Sequence, residues 1–96
     1  MSRPSSASDS PVPYRVVIVR AARDQLRGAP PLLLGYVDGI LAVLRVDPHA
    51  ATAAFDVRIV DEEFREVIFG GGRGILGVWV LEEQQVIAVE HVTWVG

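Results

Sequence analysis

The sequence predicts an α+β domain: one strand, two helices, then a three- or four-stranded antiparallel meander, with the helices packed on one face of the sheet. Three observations predict it. Residues 14–20 form a β-branched apolar run, residues 31–46 carry an apolar stripe at three- and four-residue spacing, and the second half of the chain breaks into short apolar segments separated by polar or glycine-rich turns.

The first strand is expected over Tyr14 to Arg20, where Val16, Val17, Ile18 and Val19 are bracketed by polar residues. Ala21 to Arg27 offers good helix formers and is stopped by Gly28 and the Pro30-Pro31 pair, so a helix of about two turns follows. Pro31 suits the first turn of a second helix, where its missing N–H costs nothing. That helix is expected from about Pro31 to Val46, with Leu33, Val37, Ile40, Leu41 and Leu44 on one face and Asp47-Pro48 ending it. Gly35 and Gly39 each cost the helix about 1 kcal/mol relative to alanine, and the expectation is that they permit close packing against the sheet.

Phe55 to Val60 alternates, with Phe55, Val57 and Ile59 on one face and Asp56 and Arg58 on the other. Phe64 to Phe69 alternates less clearly. The run Gly70-Gly71-Gly72-Arg73-Gly74 makes a turn, and Ile75 to Leu81 is apolar on both faces, as expected of a central strand covered on each side. Glu82 to Gln85 forms a hairpin turn. Val86 to Val95 is the last strand, with Ile87, Val89, His91, Thr93 and Val95 expected on one face and Val86, Ala88, Glu90, Val92 and Trp94 on the other. The long connection through two helices lets the first strand pair with the last.

With 96 residues the chain can bury a single core, leaving about a third of its unfolded surface exposed. Residues 14–96 are expected to form that one domain, and residues 1–13, which hold every serine and three of the six prolines, a disordered tail. The absence of cysteine excludes disulfides and thiolate metal sites. All nine basic residues are arginine and the net charge is −3, which argues against affinity gained by neutralising many phosphates. No apolar run approaches the ~20 residues that span a bilayer, and the start lacks a basic-then-apolar signal, so no membrane and a cytoplasmic location are expected. Asp61, Glu62 and Glu63 are adjacent carboxylates that read as solvated, and neither a metal nor another cofactor is expected.

Taken together, the opening Y-R-V-V-I, the A-R-D-Q-L-R-G-A-P-P junction, the helix ending in Asp47-Pro48, and R-E-V-I-F-G-G-G-R-G followed by V-W-V-L and V-I-A-V-E-H-V resemble the RelE/ParE superfamily of toxins from bacterial type II toxin-antitoxin modules. The resemblance spans about Tyr14 to Trp94. It implies a growth-inhibiting protein neutralised by a cognate antitoxin and acting either on translation, by mRNA cleavage at the ribosome, or on DNA gyrase. The first would be a metal-independent endoribonuclease; the second is not an enzymatic activity of the toxin itself. A catalytically inactive homologue used for protein–protein interaction is the alternative, and a homodimer is compatible with either.

For cleavage, the resemblance implies arginine, histidine or other polar groups on the open face of the sheet and near the C-terminus. The matching positions are Arg65, Arg73 and His91. A guanidinium stays charged and donates in a fork to phosphate, and an imidazole can move a proton near neutral pH. Each has a plainer reading too: Arg65 beside Glu62, Glu63 and Glu66 as a solvated ion pair, Arg73 as an exposed turn residue, and His91 as a structural histidine. Trp79 reads as a core residue, Trp94 as a core cap or partner contact, and His49 as a loop residue. The chain departs from ribosome-dependent relatives in having no lysine, Glu90 before His91, and Val92-Thr93-Trp94 after it.

Overall fold

The computed structural model describes residues 12–96. The expected tail therefore lies outside the described residues except for Val12 and Pro13. Strand β1 (Arg15–Ile18) leads through Val19 into helix α1 (Arg20–Leu26), and α2 (Pro31–Val46) follows across a turn that Gly28 makes with a φ of +80°. Asp47 closes α2, and its Oδ1 accepts the backbone N–H groups of His49 and Ala50, which starts the single turn α3 (Ala51–Ala54). Strands β2 (Asp56–Ile59), β3 (Phe64–Phe69), β4 (Gly74–Leu81) and β5 (Val86–Trp94) complete a five-stranded sheet in the order β1-β5-β4-β3-β2. β1 runs parallel to β5; the other pairs are antiparallel. The α+β architecture, the helical face and the pairing of first strand with last are as the sequence predicts; the single turn α3 is an addition.

The core lies between the helices and one face of the sheet. Leu33, Val37, Ile40, Leu41 and Leu44 of α2 are buried against Val67, Leu76, Val78, Val80, Ile87, Val89 and Val92. Each fully buried aliphatic side chain of this kind contributes about 1.5–3 kcal/mol relative to exposure. Tyr14 ties the start of β1 to the end of α2: its N–H donates to the Arg45 carbonyl (2.8 Å), while Arg45 Nε donates back to the Tyr14 carbonyl (3.3 Å). Desolvation, and then the carboxylates of Glu82 and Asp47, raise the Tyr14 phenol above its ordinary pKa.

Three expectations are corrected. Gly35 and Gly39 do not pack against the sheet: both are exposed, with nothing near the position a Cβ would take. At 100° per residue each lies about 200° from the buried residue two positions earlier, Leu33 or Val37, so they face away from the stripe. Strand β4 is central but not covered on both sides. Its helix-facing residues Leu76, Val78 and Val80 are buried, whereas Ile75, Trp79 and Leu81 on the far face are only half-buried.

The third correction concerns β5. Gly77 pairs with His91 and Val78 with Val89, so Glu90 is an extra residue that forms a β-bulge. The slip reverses the alternation beyond it. Ile87, Val89, Val92 and Trp94 share the helix side, while Ala88, His91 and Thr93 share the open side, in place of the single unbroken alternation expected over Val86 to Val95.

The β3–β4 turn requires glycine. Gly70, Gly71 and Gly72 all have positive φ, and a Cβ on Gly70 would sit 3.1 Å from Trp94 Cζ3. Gly70→Ala is expected to lower stability by about 1–2 kcal/mol through the left-handed backbone and this contact, read as a shift in denaturant midpoint at unchanged slope.

Candidate functional site

The open face of the sheet gathers the chemically interesting side chains of β3, β4 and β5. Because β3 alternates, Phe64, Glu66 and Ile68 face outward while Val67 and Phe69 are buried against the helices. Phe64 lies opposite Trp79, their ring centroids 4.8 Å apart, and 6.0 Å from the ring of His91. The Trp79 indole N–H donates to Glu90 Oε1 at 2.9 Å, so the bulge residue caps the aromatic cluster. The His91 ring lies over the bare Cα of Gly77, where any Cβ would collide with it. One position along, Glu66 pairs with Arg58, and only 16% of the Glu66 side chain is exposed. Trp79, expected in the core, belongs to this face and is half-buried.

His91 is the one expected site residue that lies on this face. Arg65 pairs with Val78 and Ile59 and shares the parity of buried Val67, which places it on the helix side of the sheet. Its guanidinium Nη1 donates to the carbonyls of Asp61 (3.2 Å) and Glu62 (2.8 Å), closing the β2–β3 turn that Asp61 Oδ1 also holds through the N–H groups of Glu63 and Phe64. Arg65 acts on backbone carbonyls, not on the neighbouring carboxylates that its plainer reading named.

Arg73 sits at the other end of the sheet. Three residues lie between it and Gly77, and the four steps span roughly 13 Å along β4. Its Nε donates to the Gly70 carbonyl (2.9 Å) and its guanidinium lies 5.1 Å above the Trp94 ring, in cation–π range. Trp94 in turn stacks on Phe69 (centroids 5.8 Å apart, planes 11° apart), and Tyr36 of α2 packs against both rings. Trp94 thus caps the core on the helix side. Arg65, Arg73 and His91 therefore occupy a turn, the opposite end of the sheet, and the open face.

Beside this aromatic cap, α2 and the β3–β4 turn enclose an open groove of about 420 Å³, floored by Ile40 and Phe69, with Gly35 and Gly39 along the helix wall and Asp56 at the rim. His49, expected in a loop, lies in the turn after α2, where its Nε2 stands 3.2 Å from Glu82 Oε2; both are more than half exposed. Among the described residues no three His, Asp or Glu side chains are placed to hold a metal ion, and no helix is long and apolar enough to cross a membrane.

Sequence reasoning missed Phe64 and Glu90 as parts of one surface cluster. The available signal was the alternation of Trp79 with Leu76, Val78 and Val80, which sets the tryptophan on the opposite face.

No family model matches the chain, and a search of curated proteins finds no match. Among solved structures, a chain from the crystal structure of the toxin–antitoxin complex RelBE2 of Mycobacterium tuberculosis superposes with a TM-score of 0.69 at 19% identity, covering 88% of this chain and 100% of that one. The chain shares the fold of that chain.

Proposed function

We propose that the chain is the toxin of a toxin–antitoxin module, held by a cognate antitoxin, and that it inhibits growth by occupying a protein target, DNA gyrase being the target class implied by the sequence resemblance. The toxin reading rests on the shared fold with a chain of a toxin–antitoxin complex. The binding mode rests on the dispersal of the three cleavage candidates. Metal-independent cleavage of RNA requires a base, an acid and a cation around one phosphate. Here Arg65 is spent on backbone carbonyls of a turn, Arg73 on Gly70 and Trp94, and His91 stands alone on the far face. The sequence-wide excess of carboxylates opposes the approach of rRNA or mRNA phosphates in the same direction.

A binding surface is available on that open face. Phe64, Trp79 and His91 form a rigid, partly exposed aromatic patch with a polar edge at Glu90, the composition typical of residues that anchor protein contacts. In an assay with purified DNA gyrase and relaxed plasmid, the chain is expected to suppress supercoiling or to accumulate linear DNA. Trp79→Ala is expected to weaken this at least tenfold, since removing one buried aromatic anchor typically costs 2 kcal/mol or more, about thirtyfold. Unimpaired gyrase at protein excess would reject this target.

A second reading is supported by His91 alone: an imidazole on the open face, over Gly77 and beside the Phe64 ring. In that reading His91 carries cleavage of ribosome-bound mRNA, and His91→Ala lowers it at least tenfold.

A further inference from the structure

The net charge of −3 conceals a strongly divided chain. Residues 14–27 carry four arginines and one aspartate, a net +3, whereas residues 28–96 carry four arginines and ten carboxylates, a net −6. The basic part is β1 and α1, at one edge of the sheet. Arg20, Arg23 and Arg27, spaced i, i+3 and i+7, fall within about 60° of one another around the axis of α1 and its closing residue. With Ile18 and Asp24 they line a hollow of about 400 Å³, which is separate from the open sheet face and from the groove beside Tyr36.

The hollow shows how its arginines engage an anion. Arg27 Nη1 already holds the Asp24 carboxylate at 3.3 Å, and Arg23 Nη2 donates to the Ile18 carbonyl at 3.4 Å. The second contact uses one of the five N–H groups of the Arg23 guanidinium. Arg20 has no hydrogen-bonded or ion-pair partner among the described residues. One internal carboxylate thus stands against three guanidinium groups, leaving a local excess of two positive charges.

We propose that this hollow binds an acidic peptide segment of a partner protein, with Arg20 and Arg23 receiving its carboxylates in forked hydrogen bonds. A carboxylate matches the guanidinium fork in geometry and charge. The division of charge selects a peptide over a polynucleotide. A strand of nucleic acid long enough to engage three arginines carries one charge per nucleotide onto the adjoining surface, where the rest of the protein is net −6; a peptide places its charges only where the arginines are. Position supports the same partner. β1 is an edge strand with Val17 40% exposed, so an extended segment lying along it would reach the hollow at the Ile18 end.

This assignment does not rest on the toxin reading. The test is fluorescence anisotropy of the full chain with two labelled probes, at 50 and 200 mM salt: a ten-residue peptide of four glutamates flanked by glycine and serine, and a ten-nucleotide single-stranded RNA. The peptide is expected to bind at 50 mM salt, more tightly than the RNA, and the triple variant R20A/R23A/R27A is expected to bind it at least tenfold less tightly. The triple variant R20K/R23K/R27K, which keeps the charge and loses the fork, is expected to fall between the two. Arg58→Ala, on the opposite edge, should leave peptide binding unchanged. Absence of peptide binding, equal binding by the triple alanine variant with an unchanged circular dichroism spectrum, or tighter binding of the RNA would each overturn the proposal.

Discussion

Leu76→Ala is expected to destabilise the domain by about 3–5 kcal/mol, enough to leave it marginally folded. Leu76 is fully buried in the central strand β4, opposite Val67 on β3 and Val92 on β5. These neighbours belong to strands paired on both sides, so the backbone cannot collapse into the vacated space, and the cost falls toward the upper end of the range for buried leucine truncation. For a domain of this length each kilocalorie lowers the melting temperature by about 4–8 °C, so the expected drop is at least about 12 °C. Calorimetry measures it directly; a drop below 5 °C would mean that β4 is not the centre of the core.

The β-bulge makes an expectation of the opposite kind. Glu90 has no opposite residue in β4, and the strand on either side of it alternates correctly between helix face and open face. Deleting Glu90 alone should therefore join two stretches already in register, leaving a regular ladder that loses one Trp79–Glu90 hydrogen bond, about 1 kcal/mol. Deleting Val89 shortens the strand equally but moves Glu90 into the place opposite Val78, which is fully buried. A carboxylate there has no partner, and the expected cost exceeds 4 kcal/mol, sufficient to unfold a marginal domain. Urea titration of the two deletion variants separates these outcomes. Comparable stability of the pair would contradict the bulge and the face assigned to His91.

The same bulge marks where the sequence ceased to be legible. The limits of α2 and β3, the α+β order and the pairing of β1 with β5 could be inferred from Pro31, Asp47, the glycine turn and the length of the helical connection. Pro31, Asp47 and the glycine turn are local signals, and the length of the connection can be counted along the chain. The slip at Glu90 is not local: V-I-A-V-E-H-V-T-W suits an unbroken alternation, and only the opposite strand shows that one residue is extra. The placement of Arg65 on the helix side follows from cross-strand register too, which the weak alternation of Phe64–Phe69 could not provide. By contrast, the outward position of Gly35 and Gly39 and the basic face of α1 were present in the helical spacing, obscured in the second case by a net charge taken over the whole chain.

The charge count itself takes on a different meaning in three dimensions. An acidic total suggests a molecule that avoids anions everywhere, but the structure divides it into an arginine-rich edge and an acidic remainder. Two kinds of binding chemistry can then operate on one small domain: acidic segments at α1, and at the open sheet face an aromatic contact with little net charge.

The central claim, growth inhibition through binding without RNA cleavage, is tested most directly by inducible expression of the full chain in bacteria with transcriptome-wide mapping of mRNA 5′ ends during the first minutes after induction. The account predicts arrest of growth with 5′ ends indistinguishable from those of an uninduced culture. Arrest accompanied by new ends within coding sequence, disappearing in His91→Ala, would contradict it.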